Sequence, residues 1–325
     1  MALPAHARVD LMPDLRVPLT GAQYDIAAGD YRATVTELGA GLRTLSLDGQ
    51  PITRGYGDDE VPPAGAGQLL APWPNRVDGG RYTFGGRSFQ LDLSEPAHGN
   101  AIHGLTRFAT WSLSGSSADQ VELGLWLLGR PGYPFCLELS VRYRLSAQGG
   151  LEVTVTARNA GSYPAPFGTG SHPYLLAGTG AIDNWALQLP AARWQPADNR
   201  GIPTGSPREV AGSQFDFRER REIGSTSLDT AFTGLDTGED GRAWARLTGP
   251  DAEVGLWAGP GYRWLQVFTG DALAPDARRR AVAIEPMTCP PNAFVTKTDL
   301  LTIEPGGTAT QQWGIQATKL RPGTA

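Results

Sequence analysis

Three neighbouring segments between residues 121 and 157 alternate apolar and polar residues, and this pattern constrains the fold most. A period of two places the apolar side chains of each segment on one face of a β-strand. The other face stays polar, as in an antiparallel sheet with one side in water. The apolar positions are Val121, Leu123, Leu125 and Leu127, then Leu137, Leu139, Val141, Tyr143 and Leu145, then Leu151, Val153, Val155 and Ala157.

Signs of short strands and tight turns recur along the rest of the chain. Tyr31–Glu37 alternates in the same way, and Arg81–Phe84 and Ser88–Leu91 flank the pair Gly85-Gly86, which is a strong hairpin signal. The 42 glycines and 26 prolines fit many turns, and no window of about eleven residues or more has a helical period. The sequence therefore predicts an all-β fold, a large antiparallel sandwich with little helix.

The domain organisation is predicted from the length of the chain and from a search for linkers and repeats. We predict an N-terminal arm at residues 1–20, which contains His6, and a single domain at residues 21–325. A length of 325 residues permits two domains, but no linker or internal repeat divides the chain. The polar, turn-rich stretch from Asp198 to Ser227 is predicted to be a long surface excursion.

Composition argues against several partners. The net charge is −5 and no basic cluster is interleaved with aromatic residues, so we expect no nucleic-acid partner. We expect no membrane span and no signal peptide, since the chain lacks the apolar runs that either needs. The only cysteines, Cys136 and Cys289, have no metal-site spacing and suit a reducing cytoplasm, although a disulfide between them is compatible with the sequence.

Glu285 is the strongest candidate for a catalytic residue. It follows the apolar residues Val282 and Ile284 and precedes Pro286, which we expect to end the strand. A carboxylate at the edge of an apolar interior is desolvated, which raises its pKa and suits a general base that works near neutral pH. The alternative is a surface acid in a loop, or one paired with a neighbouring arginine.

Two histidines occupy constrained positions. His172 lies between Gly170-Ser171 and Pro173, a rigid turn in which an imidazole can give or take a proton. His103, which precedes Gly104, is placed to hydrogen-bond a ligand hydroxyl. For His172 a satisfied structural histidine is an equally good interpretation.

Three more residues are candidates for ligand contacts. Prolines on both sides stiffen Trp73, which would stack on a sugar ring or fill the core. Arg76 alone is more often a solvated charge, because almost every basic residue of this chain is an arginine. Asp229, between apolar residues, would accept hydrogen bonds from hydroxyls or cap a turn.

Five short segments together form a recognisable set: Asn75-Arg76, Asn100 with His103-Gly104, Gly170-Ser171-His172-Pro173-Tyr174, Leu228-Asp229, and the Glu285 strand with the Pro291-Asn292-Ala293-Phe294 sequel. In this order they resemble the motifs of the aldose 1-epimerase (galactose mutarotase) family. The resemblance implies that family's large antiparallel β-supersandwich and a monosaccharide substrate.

The resemblance also implies roles for these residues. Glu285 would take the proton of the anomeric hydroxyl and His172 would protonate the ring oxygen, so that the ring opens and recloses on its other face. Such acid–base chemistry needs no metal and no organic cofactor. His103 would be a third catalytic residue, which with Arg76 holds and polarises oxygens at the reacting end. Asn75 and Asp229 would bind the substrate, and Trp73 would be the floor of the site.

Several alternatives stay open at this stage. Arg107, four residues after His103, is similar to an arginine of family members that act on anionic sugars such as hexose 6-phosphates or sulfo-sugars. A sandwich rich in tryptophan is also compatible with a non-catalytic carbohydrate-binding protein. A glycosidase that uses Glu285 and Asp229 is a third possibility, against which a histidine between them would count. We expect a monomer or homodimer.

Overall fold

A computed structural model of the chain describes residues 16–320, and β-strands make up almost all of its regular structure. The first thirteen strands are β1 (Gln23–Ala28), β2 (Tyr31–Thr36), β3 (Leu42–Leu47), β4 (Gln50–Pro51), β5 (Leu69–Leu70), β6 (Arg76–Asp78), β7 (Arg81–Phe84), β8 (Arg87–Gln90), β9 (Asn100–Ile102), β10 (Ser112–Ser116), β11 (Gln120–Leu127), β12 (Leu137–Ser146) and β13 (Gly150–Asn159). The others are β14 (Ala165–Phe167), β15 (Gly170–Ser171), β16 (Tyr174–Leu175), β17 (Ala186–Gln188), β18 (Ala191–Trp194), β19 (Arg208–Glu209), β20 (Arg221–Glu222), β21 (Asp229–Leu235), β22 (Ala243–Thr248), β23 (Ala252–Ala258), β24 (Trp264–Phe268), β25 (Val282–Met287), β26 (Leu301–Ile303) and β27 (Thr308–Lys319).

Helix is confined, within residues 16–320, to three short turns. Two of them are 3-10 turns, at Pro63–Gly65 and Ile182–Asn184. The third is the single α-helical turn α1 (Ala293–Thr296). The prediction of an all-β fold with little helix is therefore confirmed.

Two large sheets, whose strand pairs are all antiparallel, dominate the architecture. One has nine strands in the order β10-β11-β12-β13-β27-β23-β22-β17-β20. The other has eight, in the order β19-β18-β21-β24-β25-β15-β5, with β16 paired to β25 beyond the break that follows β15. The smaller sheet β1–β4 joins this core, since the hydroxyl of Tyr143 in β12 donates to the carbonyl of Ala40 at 2.7 Å.

The alternating segments form the strands that the pattern predicts. In β12 the residues from Leu137 to Leu145 alternate between buried and partly exposed, and β13 does the same beside it. The hairpin of β7 and β8 turns at Gly85-Gly86, as expected. The apolar faces of the large sheets join one cluster of buried side chains that extends from Ile26 to Ala317.

The predicted effect of Pro286 was wrong, because β25 continues one residue beyond it and pairs with β24 from Ala283 to Met287. Proline cannot donate to a ladder, so it is tolerated only where no neighbour needs its amide. The amide of Ile284 donates to the carbonyl of Pro173. By the register that pairs Gly170 with Met287 and Tyr174 with Ala283, Pro286 lies opposite Ser171, the last residue of β15. The neighbouring strand is interrupted directly after this residue, at His172, which lies opposite Glu285.

Most of the predicted N-terminal arm, including His6, lies outside the described residues, as do residues 321–325. The last part of the arm is attached to the body, since the amide of Leu19 donates to the carbonyl of Asp58. We propose one domain for residues 21–325, on the basis of the single large core cluster. Cys136 and Cys289 are both free thiols. None of the helices in residues 16–320 is long and apolar enough to cross a membrane.

Candidate active site

The register of three strands in the eight-stranded sheet places polar side chains together on the face that points away from the core. Gln266 in β24 lies opposite Glu285 in β25, and Ala231 in β21 lies on the other side of Gln266. Asp229 lies two residues from Ala231 and therefore shares its face. Its Oδ1 accepts a 2.6 Å hydrogen bond from Nε2 of Gln266.

His172 lies at the interruption between β15 and β16, beside Glu285. Its backbone amide donates to the carbonyl of Gln68, and its carbonyl accepts from the amide of Gly67. Its ring stacks on Tyr174 at 5.0 Å between centroids. Gly65, at φ +79°, approaches the ring so closely that an added Cβ would lie 3.0 Å from Cδ2. Backbone and ring packing together fix the direction of this imidazole.

His103 approaches the same place from a loop in which it adopts a positive φ of 62°. Its Nδ1 accepts a hydrogen bond from the backbone amide of Asn75 at 3.1 Å. Because an amide can only donate, the neutral His103 ring carries its proton on Nε2, which is left as a donor. Asn75 also has a positive φ, and its side-chain oxygen accepts from the amide of Arg76. The backbone amide of Asn75 therefore fixes the orientation of the His103 ring, and the side chain of Asn75 fixes the local backbone at Arg76.

Glu285 and His172 form a buried pair, with 3.3 Å between Oε1 of Glu285 and Nε2 of His172. Only 2% of Glu285 and 6% of His172 is exposed, and the second oxygen and second nitrogen have no hydrogen-bond partner. Burial raises the pKa of Glu285 well above its usual value, with Asp229 adding to the rise and Arg76 opposing it. Burial lowers the pKa of His172 to about 3. Both groups are thus held away from their charged forms, which supports the predicted desolvation of Glu285.

A cavity of about 430 Å³ opens over this pair, a size typical of small-molecule sites. All the predicted site residues except Trp73 line it. They are Asn75, Arg76, His103, Arg107, His172, Asp229 and Glu285. Segments that are distant in the sequence therefore converge on one polar pocket.

Comparison with known proteins gives the family. The sequence profile described as Aldose 1-epimerase matches residues 22–316. The chain belongs to the aldose 1-epimerase family. It is 35% identical over 300 residues to the uncharacterized protein YihR of Escherichia coli K12, a match that covers 92% of this chain and 94% of that protein.

Two further comparisons are consistent with this family. The aldose 1-epimerase of E. coli K12 is 31% identical over 168 residues, which are 50% of this chain and 47% of that enzyme. The crystal structure of a GalM/aldose epimerase homologue from Caenorhabditis elegans superposes with a TM-score of 0.82 at 18% identity, over 92% of this chain and 99% of that one. This structural likeness shows the shared fold. Membership of the aldose 1-epimerase family supports an epimerase or mutarotase activity on a sugar.

Trp73 is the one predicted site residue of this aldose 1-epimerase family member that the structure places elsewhere. Its side chain is 2% exposed and packs on Phe294, at 5.3 Å between ring centroids, inside the core. The ring points into the core and not into the cavity, so the predicted role as the floor of the site was wrong. The aromatic side chains of the pocket are instead Tyr174 and Phe268.

Three residues beside the pair were missed by sequence reasoning. Gln266 lies across from Glu285, is 3% exposed, and has a side-chain oxygen with no partner. A lone glutamine among the apolar residues of β24 was the signal that could have found it. Tyr174 stacks on His172, and Glu95 lines the cavity beside Arg76. Nothing local in the sequence distinguishes Glu95 from other surface acids.

Glu285, His172 and His103 are also residue types that bind metals, and one ligand atom from each lies within 4.8 Å of the others. However, Nδ1 of His103 is occupied by the Asn75 amide, so Nε2 of the neutral ring carries a proton and cannot coordinate a metal. The arrangement fits proton transfer better than metal binding.

We expect the buried His172 to make folding stability depend on pH. In the unfolded chain a histidine has a pKa near 6.5, whereas the folded pKa is about 3. As the pH falls below 6.5, the unfolded state binds a proton that the folded state does not, and stability is lost. Between pH 7.0 and 5.5, the free energy of unfolding should therefore fall by about 1 kcal/mol less in His172→Asn than in the wild type. Urea unfolding at the two pH values measures this, and equal losses in both proteins would contradict the assignment.

Proposed function

We propose that this protein interconverts the α and β anomers of an aldohexose by opening and reclosing the pyranose ring. The observation that carries the proposal is the 3.3 Å contact between the buried Glu285 and His172 side chains at a sugar-sized cavity. One carboxyl and one imidazole side by side supply the proton acceptor and the proton donor that a hemiacetal needs. Membership of the aldose 1-epimerase family supports the same reaction type.

The proposed reaction requires two coupled proton transfers. Glu285 removes the proton of the hydroxyl on C1 while His172 protonates the ring oxygen, and the bond between C1 and the ring oxygen breaks. The aldehyde then turns about the C1–C2 bond. Reclosure on the other face returns the first proton to the oxygen on C1 and the second to His172. No electrons leave the sugar, so the chemistry itself requires neither a metal nor an organic cofactor.

When a sugar binds, a proton has to move from the neutral carboxyl of Glu285 to the neutral imidazole of His172. Burial favours a neutral carboxyl at Glu285 and a neutral imidazole at His172, whereas the proposed roles need a carboxylate and an imidazolium. Sugar hydroxyls that donate to Glu285 would stabilise the carboxylate, and a ring oxygen that accepts from His172 would stabilise the imidazolium. Arg76 already acts in this direction, since it lowers the pKa of Glu285.

The other polar residues of the cavity are suited to hold the sugar. His103 presents a donor at Nε2 beside His172, with 5.4 Å between the ring centroids. Arg76 lies between this end of the site and Asp229, whose carboxylate is 3.9 Å from Nη1. Asp229 offers acceptors to hydroxyls further round the ring, and Gln266, which does not line the cavity, orients this carboxylate through its Nε2. We assign substrate binding to His103, Arg76 and Asp229, and to Asn75, which orients His103.

A polarimeter tests the proposed function. Fresh α-D-glucose or α-D-galactose should reach rotational equilibrium faster with the protein than in buffer. Binding of the same sugars without faster equilibration would indicate a non-catalytic carbohydrate-binding protein instead. Release of a free sugar from a glycoside would indicate a glycosidase that uses Glu285 and Asp229. A cytoplasmic location and a monomeric or homodimeric state stay predictions.

A second candidate is a mutarotase for anionic sugars, and Arg107 is the observation that favours it. Its guanidinium lines the cavity, and no carboxylate of the described residues lies within 4.0 Å of it. Burial lowers the pKa of Arg107, and Glu95 compensates only in part. A phosphate or sulfonate on the sugar would satisfy this cation, since arginine binds such groups with two parallel hydrogen bonds.

Arg107→Ala separates the two candidates. If the sugar is anionic, the variant should lose about 10- to 100-fold in kcat/KM on glucose 6-phosphate or 6-deoxy-6-sulfoglucose, because a charge-assisted contact of about 1.5–3 kcal/mol is removed. Turnover of D-glucose by the same variant is the internal control and should change little. Equal losses on neutral and charged sugars would contradict an anion site.

A further inference from the structure

Glu95 is a carboxylate of the cavity wall whose side chain is only 17% exposed. Its two oxygens accept hydrogen bonds of 2.9 Å from Nε and Nη2 of Arg76, which is the parallel two-point geometry between arginine and a carboxylate. Asn100 and His98 bind the same carboxylate from the other side, at 3.1 Å each. These contacts outweigh the effect of burial and lower the pKa of Glu95.

The position of the Arg76 guanidinium is also restricted by the backbone at Gly201. Gly201, at φ +73°, lies so close that an added Cβ would be 2.5 Å from Nη1. The turn that carries Gly201 is attached to the site wall by Arg200, which donates to Asp78 at 2.7 Å and to Asn100 at 2.9 Å. The long excursion between β18 and β21 therefore reaches the candidate site at this turn.

These contacts divide the donors of Arg76 into two sets. Nε and one hydrogen of Nη2 are bound by Glu95, while Nη1 lies on the side of Asp229. With a carboxylate on each side, Arg76 has little uncompensated charge and is suited to donate to hydroxyls or a ring oxygen. Arg107, which has no such partner among the described residues, differs from it in this respect.

We propose that Glu95 is a positioning residue that orients the guanidinium of Arg76 towards the reacting end of the sugar. The inference rests on the proposed function, since it needs Arg76 to contact the substrate. Glu95 acts through Arg76 and touches no reacting atom itself. A glutamine in its place would accept from one donor of Arg76 and turn its own NH₂ group towards the other. The guanidinium would then rotate away from its present direction.

A double-mutant cycle tests the proposal on the anomer exchange of D-glucose or D-galactose. Glu95→Gln should lower kcat/KM by about 10- to 100-fold in the wild-type background. In an Arg76→Ala background the same change should have an effect of about twofold or less, because the residue through which it acts is gone. A merely structural role of Glu95 would reduce activity in both backgrounds alike.

Glu138→Gln is the matched control. Glu138 also accepts a hydrogen bond from an arginine, at 2.6 Å from Arg158, but it lies on the nine-stranded sheet outside the cavity. Its replacement should leave kcat/KM unchanged. Wild-type activity in Glu95→Gln, with Glu285→Gln inactive, would overturn the role of Glu95 and leave the proposed function intact. Full activity in Glu285→Gln would overturn the proposed function instead.

Discussion

Replacing Glu285 with glutamine is expected to reduce kcat for mutarotation by about 10²–10⁴-fold, the usual contribution of a general acid–base group. Glutamine has nearly the same shape but cannot take a proton from the anomeric hydroxyl. The fold should survive, because burial already favours an uncharged group at this position. Polarimetry on D-glucose and D-galactose measures the loss, and thermal unfolding should show a melting temperature no lower than that of the wild type.

The Glu138→Gln variant controls for removal of a carboxylate as such. It takes an acid from a salt bridge with Arg158 on the other large sheet, outside the candidate site. We expect wild-type turnover from it. Near wild-type turnover from Glu285→Gln would mean that another group is the base.

His172→Asn is expected to cost a similar factor, about 10²–10⁴-fold in kcat, because asparagine cannot deliver a proton to the ring oxygen. Since Glu285 and His172 act in one concerted pair, their losses should not add. The double variant Glu285→Gln/His172→Asn should be about as slow as the slower single variant. Fresh α-D-galactose followed in a polarimeter gives all three rates under one set of conditions.

His103→Asn is the matched comparison for the His172 variant. His103 is also a buried histidine of the cavity, but its Nδ1 is bound by the Asn75 amide and its Nε2 acts as a donor. We expect a smaller loss from its removal than from that of His172. Retained activity in His172→Asn, together with a large loss in His103→Asn, would assign the acid role to His103.

The strands of this protein could be predicted well because their pattern is local. Leu137 to Leu145 alternates with a period of two, and only a strand places such residues on one face. The effect of Pro286 could not be predicted in the same way, since it depends on the partner of β25. The neighbouring strand β15 ends at Ser171, opposite Pro286, so the proline lies where regular pairing with that strand stops.

The site could be predicted only in part, because the sequence does not give the direction of each side chain. The burial of Glu285 was predictable because it is the single acid of an apolar segment, whereas Trp73 lies in a loop whose sequence does not reveal which way the ring turns. Gln266 and Glu95 became visible only through their neighbours in space. Gln266 is placed by the register between β24 and β25, and Glu95 by its two hydrogen bonds to Arg76.

Proton NMR exchange between the anomers of a sugar mixed with the wild-type protein tests the proposed carboxyl–imidazole chemistry most directly. Saturating the α anomeric proton of D-glucose, D-galactose or glucose 6-phosphate should transfer saturation to the β proton at a rate well above that in buffer. The effect should disappear with Glu285→Gln. Exchange no faster than in buffer for all three sugars, although ligand-observed spectra show that they bind, would contradict a catalytic role for the carboxyl–imidazole pair.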